Sequence, residues 1–414
     1  MLSAAVEVDR RDFPVCAELA VAPGERLALF GPSGAGKTTI LEAVAGLVRP
    51  RRAQITLGGR VLTSTAPPRA DVPPWRRRVG LLRQDPGLFP HLSVRANLAY
   101  GPGAGSHSPE LGALAARLGI EGLLDAMPAR LSGGQQHRVA LGRLLLARCD
   151  ALLLDEPYAG LDASLRRSLT DLVRALVADR RVPSVLVAHE LDEAQAFADR
   201  LAVLDQGVIL QSGAPGDVVR HPASRRVAEL VGYLGFVPVT GSGRPGPSGG
   251  HVLPGLSTDG RAAGDTLGGD GTGAGHETGP AAGQVAGPVT GPVVGTVAPA
   301  GTGGWAGQPG GGSATGIVAG IHPERVVPGA QPGRGLVLTG PLTAVRPSGA
   351  GWEAELTVAG QRIACRLPDR PERDDGQLTV TALDPPLFGP DGTAVGEAEQ
   401  DRSVGSSWLG WTAQ

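Results

Sequence analysis

Short apolar runs punctuate the first part of this chain: RLALF (26–30), VGLL (79–82), ALLLD (151–155), SVLVA (184–188) and LAVLD (201–205). Runs of this length and composition read as strands, and stretches of helical period separate them. Such alternation predicts an α/β domain over residues 1–235, with a largely parallel sheet covered by helices. From 236 to 315 the pattern dissolves into Gly, Pro, Ala, Ser and Thr, as in GPVTGPVVGTVAPAGTGG. Such a stretch buries too little apolar surface to offset its ordering entropy, so a flexible linker is expected there. Strand character returns over 316–392 in LVLTGPLTAV, WEAELTVAG, QRIACRL and QLTVTAL. Short strands between turn residues predict a small β-barrel or sandwich. Residues 393–414 read as a loose tail.

Bulk properties narrow the function without naming it. Over 414 residues the net charge is −2, so no basic field points to nucleic acid. Cys16, Cys149 and Cys365 lie far apart with no CxxC pair, which predicts neither a metal site nor a disulfide framework and fits a reducing cytosol. The opening MLSAAVEVDRRDFPVC lacks the pattern of a signal peptide. No run of about 18 apolar residues is present to span a membrane.

One residue stands against the composition. Lys37 is the only lysine; every other one of the 38 basic residues is arginine. It lies in GPSGAGKTT, between the strand-like RLALF and the helix-like ILEAVAGLV, and fits G-x-x-x-x-G-K-[ST] with Gly31, Gly36, Lys37 and Thr38 in register. Glycines let backbone N–H groups turn inward around phosphates, and the helix N-terminus adds a field that favours anions. A lysine is a compact charge on a flexible stem, where a guanidinium is a wide planar fork. The Thr38 hydroxyl suits Mg²⁺. Gly31, Pro32, Ser33, Gly34, Ala35, Gly36, Lys37, Thr38 and Thr39 are therefore the expected phosphate cradle. Further on, Asp155 ends an apolar strand, where a carboxylate can meet Mg²⁺. Glu156 follows it and can polarise a water as general base. Ser132, Gly133 and Gly134 precede a helix and form a second candidate anion site.

LSGGQQHRVALGRLLLA (131–147) followed by ALLLDEP resembles the nucleotide-binding subunits of ABC transporters. The likeness covers most of residues 1–235, with its elements in family order: the loop at 31–38, Gln84, LSGGQ, ALLLDE, GLD (160–162) and His189. It implies a P-loop NTPase of the ABC ATPase type, with a helical subdomain and a small C-terminal β-barrel-like domain. It implies ATP and Mg²⁺ as cofactors, and a head-to-tail homodimer that sandwiches two ATPs. Gln84 is then expected to sense Mg²⁺ and the attacking water, and His189 to contact the γ-phosphate. Asp162 crosses the dimer interface, and Gln135 joins Ser132, Gly133 and Gly134 on the nucleotide. Lys37, Gln84, Glu156 and His189 form the catalytic set, and Thr38, Gln84 and Asp155 the metal set. His91 and His137 are left as solvated or packing residues.

Three positions depart from the family pattern. Arg83 precedes Gln84 where an apolar aromatic is common, and Tyr158 follows the strand-end proline where smaller residues are common. Phe13, the only aromatic in the N-terminal stretch, is either the residue that stacks on adenine or a core residue.

GIHPERVVPG (320–329) resembles the opening of the TOBE/MOP-type regulatory β-domain of bacterial importer ATPases, with His322 where an arginine is expected. That domain either binds an oxyanion or only stabilises the dimer. PPWRRRVGLLRQDPGLFPHLSVRANLAYG (73–101) looks like the molybdate importer ATPases. The likeness implies integral-membrane permease partners, indirectly a solute-binding protein, and a peripheral place on the cytoplasmic face of the plasma membrane. Molybdate or tungstate stands first as solute, then sulfate or thiosulfate, then ferric iron or polyamine. A non-transport ABC ATPase would carry two cassettes or a coiled-coil insertion, and this chain shows neither.

Overall fold

The computed structural model describes residues 1–101, 108–158, 161–238, 240–241, 256–257, 316, 318–331, 335–349, 351–371 and 376–395. Most of the stretch expected as a linker at 236–315, Gly160, and the tail beyond 395 lie outside these residues. The chain divides into two compact units, Met1–Ala223 and Ser224–Gln414. The division falls before the domain end expected at 235. The reason is local to the second unit: Gly235–Pro238 pairs with Val318–Ile321, and the Arg225 amide donates to Gly392 O at 2.8 Å.

The first unit runs β1 (Leu2–Val8), β2 (Val15–Val21), β3 (Arg26–Phe30), α1 (Lys37–Ala45), β4 (Arg52–Leu57), β5 (Arg60–Ser64), β6 (Ala70–Asp71), β7 (Val79–Leu82) and α2 (Val94–Leu98). It continues with α3 (Pro109–Arg117), α4 (Gly133–Leu146), β8 (Ala151–Asp155), α5 (Ala163–Arg180), β9 (Ser184–Ala188), α6 (Leu191–Phe197), β10 (Arg200–Asp205), β11 (Val208–Gly213) and α7 (Pro215–Arg220). All eleven strands join one sheet in the order β6-β5-β4-β1-β2-β11-β10-β3-β9-β8-β7.

β10, β3, β9, β8 and β7 are parallel neighbours, and they are the five apolar runs of the sequence. The other half is mostly antiparallel, with β11 against β2 its one parallel pair, which corrects the expectation of a largely parallel sheet. β1 pairs antiparallel with β2 and β4, and β5 with β4 and β6. In β1 only every second residue is fully buried (Leu2, Ala4, Val6, Val8), and β2 alternates likewise. Strands with one buried face, joined by a short turn, form hairpins, and hairpins are antiparallel.

The core under this sheet takes Ile40, Leu41 and Val44 of α1 together with Leu153 and Val187 of the central strands. Arg77, after the 3₁₀ turn Pro74–Arg76, fixes the far end of α1. Its guanidinium is only 2% exposed. Nη1 donates to Val44 O at 2.9 Å, Nε to Val72 O at 2.6 Å, and Nη2 to Thr63 Oγ1 at 2.9 Å and Asp71 Oδ1 at 3.2 Å. A cation that satisfies helix-terminal carbonyls is favoured by the helix dipole as well.

The second unit is a small β fold. Val326–Pro328, Gln377–Leu383, Gly335–Ser348, Gly351–Val358 and Gln361–Leu367 form a five-stranded half-barrel sheet in that order. The strands expected at LVLTGPLTAV, WEAELTVAG, QRIACRL and QLTVTAL are among them. Leu338, Leu356, Ile363 and Val380 fill its core. His322 is a half-buried structural residue here. Its ring packs edge-on against Tyr233 with centroids 5.0 Å apart, and Nδ1 accepts from the Glu324 amide at 3.3 Å. Burial lowers its pKa, so the ring does not supply the positive charge of the arginine expected at this position.

Candidate active site

The cradle is built where β3 leaves the sheet. Gly31 (φ 155°) passes so close to β10 that a Cβ would lie 1.9 Å from Leu204 O. Gly36 (φ 107°) caps α1 in a left-handed conformation, and a Cβ there would meet Val15 Cγ2 at 2.6 Å. Only glycine satisfies both the dihedral and the space. Between them the loop turns back on itself, and Lys37 Nζ donates to Gly31 O at 2.8 Å and Pro32 O at 2.9 Å. Lys37 is 7% exposed. Burial lowers its pKa, opposed by the nearby carboxylates of Glu156 and Asp155. An ammonium that needs only two carbonyls fits this slot; a guanidinium brings a wider head and more donors than the slot provides for.

Next to it, Thr38 Oγ1 donates to Asp155 Oδ1 at 3.2 Å. Asp155, at the end of β8, is almost wholly buried, which raises its pKa against the lowering effect of the Thr38 bond. A hydroxyl and a carboxylate oxygen at this separation are hard oxygen donors of the kind a small divalent cation takes, with phosphate and water as the remaining ligands. Among the described residues no three His, Cys, Asp or Glu side chains converge on an ion. The residues present thus fit Mg²⁺ held jointly with a phosphate. Glu156 follows in a left-handed conformation (φ 51°), its amide donating to Val187 O at 3.2 Å. A non-glycine residue there is strained, a condition that clusters at functional sites.

The remaining expected residues are placed as follows. Thr39 is buried and its hydroxyl accepts from Arg10 Nη1 at 2.5 Å, so it faces the β1–β2 turn. Phe13 in that turn packs against the hydrophobic core. Ser132 and Gln135 form a capping box: Gln135 Oε1 accepts from the Ser132 amide at 2.8 Å, and Ser132 Oγ from the Gln135 amide at 3.3 Å. The amides left at the start of α4 are those of Gly133 and Gly134. Asp162 caps α5, accepting from the Ser164 hydroxyl at 2.6 Å and from the Leu165 and Ser164 amides at 2.9 and 3.1 Å, and these bonds, the hydroxyl's first, lower its pKa. Gln84 and His189 are exposed. The loop at 31–38, Thr38, Asp155 and Glu156 come together; the Ser132 turn opens a different helix.

Sequence reasoning passed over a cluster of buried polar side chains. Tyr158, Arg166 and Glu193 each carry a buried polar atom with no hydrogen-bond partner among the described residues. Arg166 also pairs with Glu190. Glu193 stands in the first turn of α6, where a carboxyl reaches back toward amides before the helix, here that of His189. Burial pushes its pKa up to about 7. The only signal for it in the sequence was its spacing of four from His189.

The fold and the cradle define the first unit as an α/β domain of the P-loop kind. Residues 17–159 match the family model described as ABC transporter. The chain is 43% identical over 237 residues to the molybdenum import ATP-binding protein ModC of Mycobacterium tuberculosis, covering 55% of this chain and 63% of that protein. It is 41% identical to the Fe(3+) ions import ATP-binding protein FbpC of Pseudomonas fluorescens, covering 53% of this chain and 62% of that protein. It is 40% identical to the sulfate/thiosulfate import ATP-binding protein CysA 2 of Chromobacterium violaceum, covering 57% and 64%. The chain thus spans somewhat under two thirds of the length of these curated relatives.

Proposed function

We propose that this chain is the ATP-hydrolysing subunit of a bacterial ABC importer that energises uptake of an oxyanion, molybdate first. The observation that carries this reading is the convergence of Lys37, the Thr38–Asp155 pair and Glu156 at the carboxyl ends of the interior strands β3 and β8. Such a constellation supplies, in order, a phosphate cradle, a cation site and a base for water. Lys37 and the loop amides hold the phosphates; Thr38 and Asp155 would hold Mg²⁺, which neutralises phosphate charge. Glu156 polarises the attacking water. Gln84 and His189 act as line and sensor for the water and the γ-phosphate. Ser132, Gly133, Gly134 and Asp162 serve the nucleotide of a second copy, in a head-to-tail homodimer.

No helix among the described residues is long and apolar enough to cross a membrane. The importer reading, supported by relatives named import ATP-binding proteins, takes permease subunits and a solute-binding protein as partners, with the chain at the cytoplasmic face. Molybdate is favoured by the 73–101 segment and by the relative at 43% identity; ferric iron and sulfate, named in relatives at 41% and 40%, are the alternatives. For the second unit, a TOBE/MOP-like role in stabilising the dimer is favoured over oxyanion binding, because His322 is neutral and engaged in packing.

Two experiments test the reading. Glu156→Gln is expected to bind ATP, turn over at least about a hundredfold more slowly, and accumulate as a closed dimer by light scattering. Normal turnover in that variant refutes the assignment of the base. Uptake of molybdate and sulfate in a deletion strain complemented with this chain and its permease distinguishes the solutes.

A further inference from the structure

Gln84 lies in the loop between β7 and α2, and this loop is fastened to α4 through its backbone. His137 Nε2 is 2.7 Å from Gln84 O. Arg143 Nη2 and Nη1 donate to Pro86 O and Gly87 O, both at 3.0 Å. The Arg143 guanidinium also lies over the Phe89 ring, 5.2 Å from its centroid. His137 is itself anchored, with Nδ1 3.1 Å from Gly133 O in the first turn of α4. Both acceptors are carbonyl oxygens, so a ring nitrogen engages one of them by donating its proton, and the Nε2–H tautomer makes the shorter contact, to Gln84 O. The bonds take backbone groups of the loop and leave the exposed Gln84 carboxamide free for chemistry.

We propose that His137 is a positioning residue for Gln84: it straps the Gln84 backbone to the first turn of α4, so that the Gln84 carboxamide and the amides of Gly133 and Gly134 are held as one body, with Arg143 as the second strap. Two groups that are 49 or more residues apart in sequence, one serving this copy's nucleotide and the other a second copy's, are thereby given a fixed separation. This inference rests on the hydrolytic reading above for its kinetic arm only.

The test uses the full chain and four variants: His137→Ala, His137→Gln, Gln84→Ala and the Gln84→Ala/His137→Ala double. Amide hydrogen exchange is measured over the loop at 83–88, and kcat and KM for ATP are measured in parallel. His137→Ala is expected to raise loop exchange about tenfold and to lower kcat about five- to tenfold with KM within about twofold. His137→Gln, whose carboxamide still donates to Gln84 O, recovers most of both. In the Gln84→Ala background, His137→Ala changes kcat by less than about twofold, because the group it positions is already gone. Unchanged exchange in His137→Ala overturns the strap. A full multiplicative loss in the double variant, or a Gln variant as impaired as the Ala variant, overturns its action through Gln84. If the unmodified chain does not turn over ATP, the hydrolytic reading fails, and the exchange arm still decides whether the strap exists.

Discussion

Arg77→Met removes the clamp on the far end of the cradle helix while keeping much of the side chain's apolar stem. In the folded chain it leaves the carbonyls of Val44 and Val72 and the Thr63 hydroxyl without their donor. Each buried polar group left unpaired costs about 1–3 kcal/mol. Three such groups set an upper bound that water reduces, since the Asp71 side of the site is open, with its carboxylate 66% exposed. A net loss of about 3–5 kcal/mol is expected, comparable to breaking a buried ionic contact. Against a domain stability of about 5–15 kcal/mol, that is a large share. Arg77→Lys offers three donors from one point to acceptors spread around a planar fork, so it should lose about half as much. The assay is pulsed hydrogen exchange of the full chain across a urea series, read on peptides covering Lys37–Ala45, which avoids a signal mixed between the two units. A midpoint for Arg77→Met within about 1 kcal/mol of the unmodified chain, or a lysine variant equal to it, refutes the clamp.

Lys37→Arg tests the slot: ATP affinity should fall at least about tenfold by titration calorimetry, since the site accommodates a point charge bonded to two carbonyls. Unchanged affinity removes the steric argument. Glu193→Gln tests the buried acid: its folded pKa of about 7 lies above the ordinary 4.5, so the fold favours the neutral carboxyl. That stability is fully present below about pH 4.5 and is lost as pH rises toward 7. The shift corresponds to at most about 3 kcal/mol, and partial solvent access reduces it to about 1–2 kcal/mol. The variant should therefore match the unmodified chain near pH 5 and exceed it by about 1–2 kcal/mol at pH 8 in urea melts; a difference independent of pH counts against the burial argument.

What was legible in the sequence shares one property: it is local. The central strands β3, β8, β9 and β10 announced themselves because a strand buried on both faces has nowhere to put a polar residue, and β7, the short strand at the edge, showed as an unbroken apolar run. β1, β2 and β4 bury one face, their apolar positions are interrupted, and they were passed over. The cradle was legible because the loop, its glycines and Lys37 are contiguous, and glycine is demanded by dihedrals that neighbours impose. Arg77, His137, Arg143 and Glu193 were not legible. In a chain with 38 basic residues nothing local distinguishes Arg77 from Arg76 or Arg78, yet Arg77 is buried and Arg78 lies exposed against Asp150.

By itself, then, the sequence determined the strand and helix alternation, the conformation of the phosphate loop and the residue types able to hold phosphate, cation and water. Only the tertiary structure decided which half of the sheet is parallel, where the first unit ends, and which polar side chains are buried. The physical reason is that a buried polar group is defined by its partner, and those partners come from elements far away along the chain. Val44 and Val72 for Arg77, and Gln84 for His137, become neighbours only when the sheet closes over α1 and α4 packs against the loop.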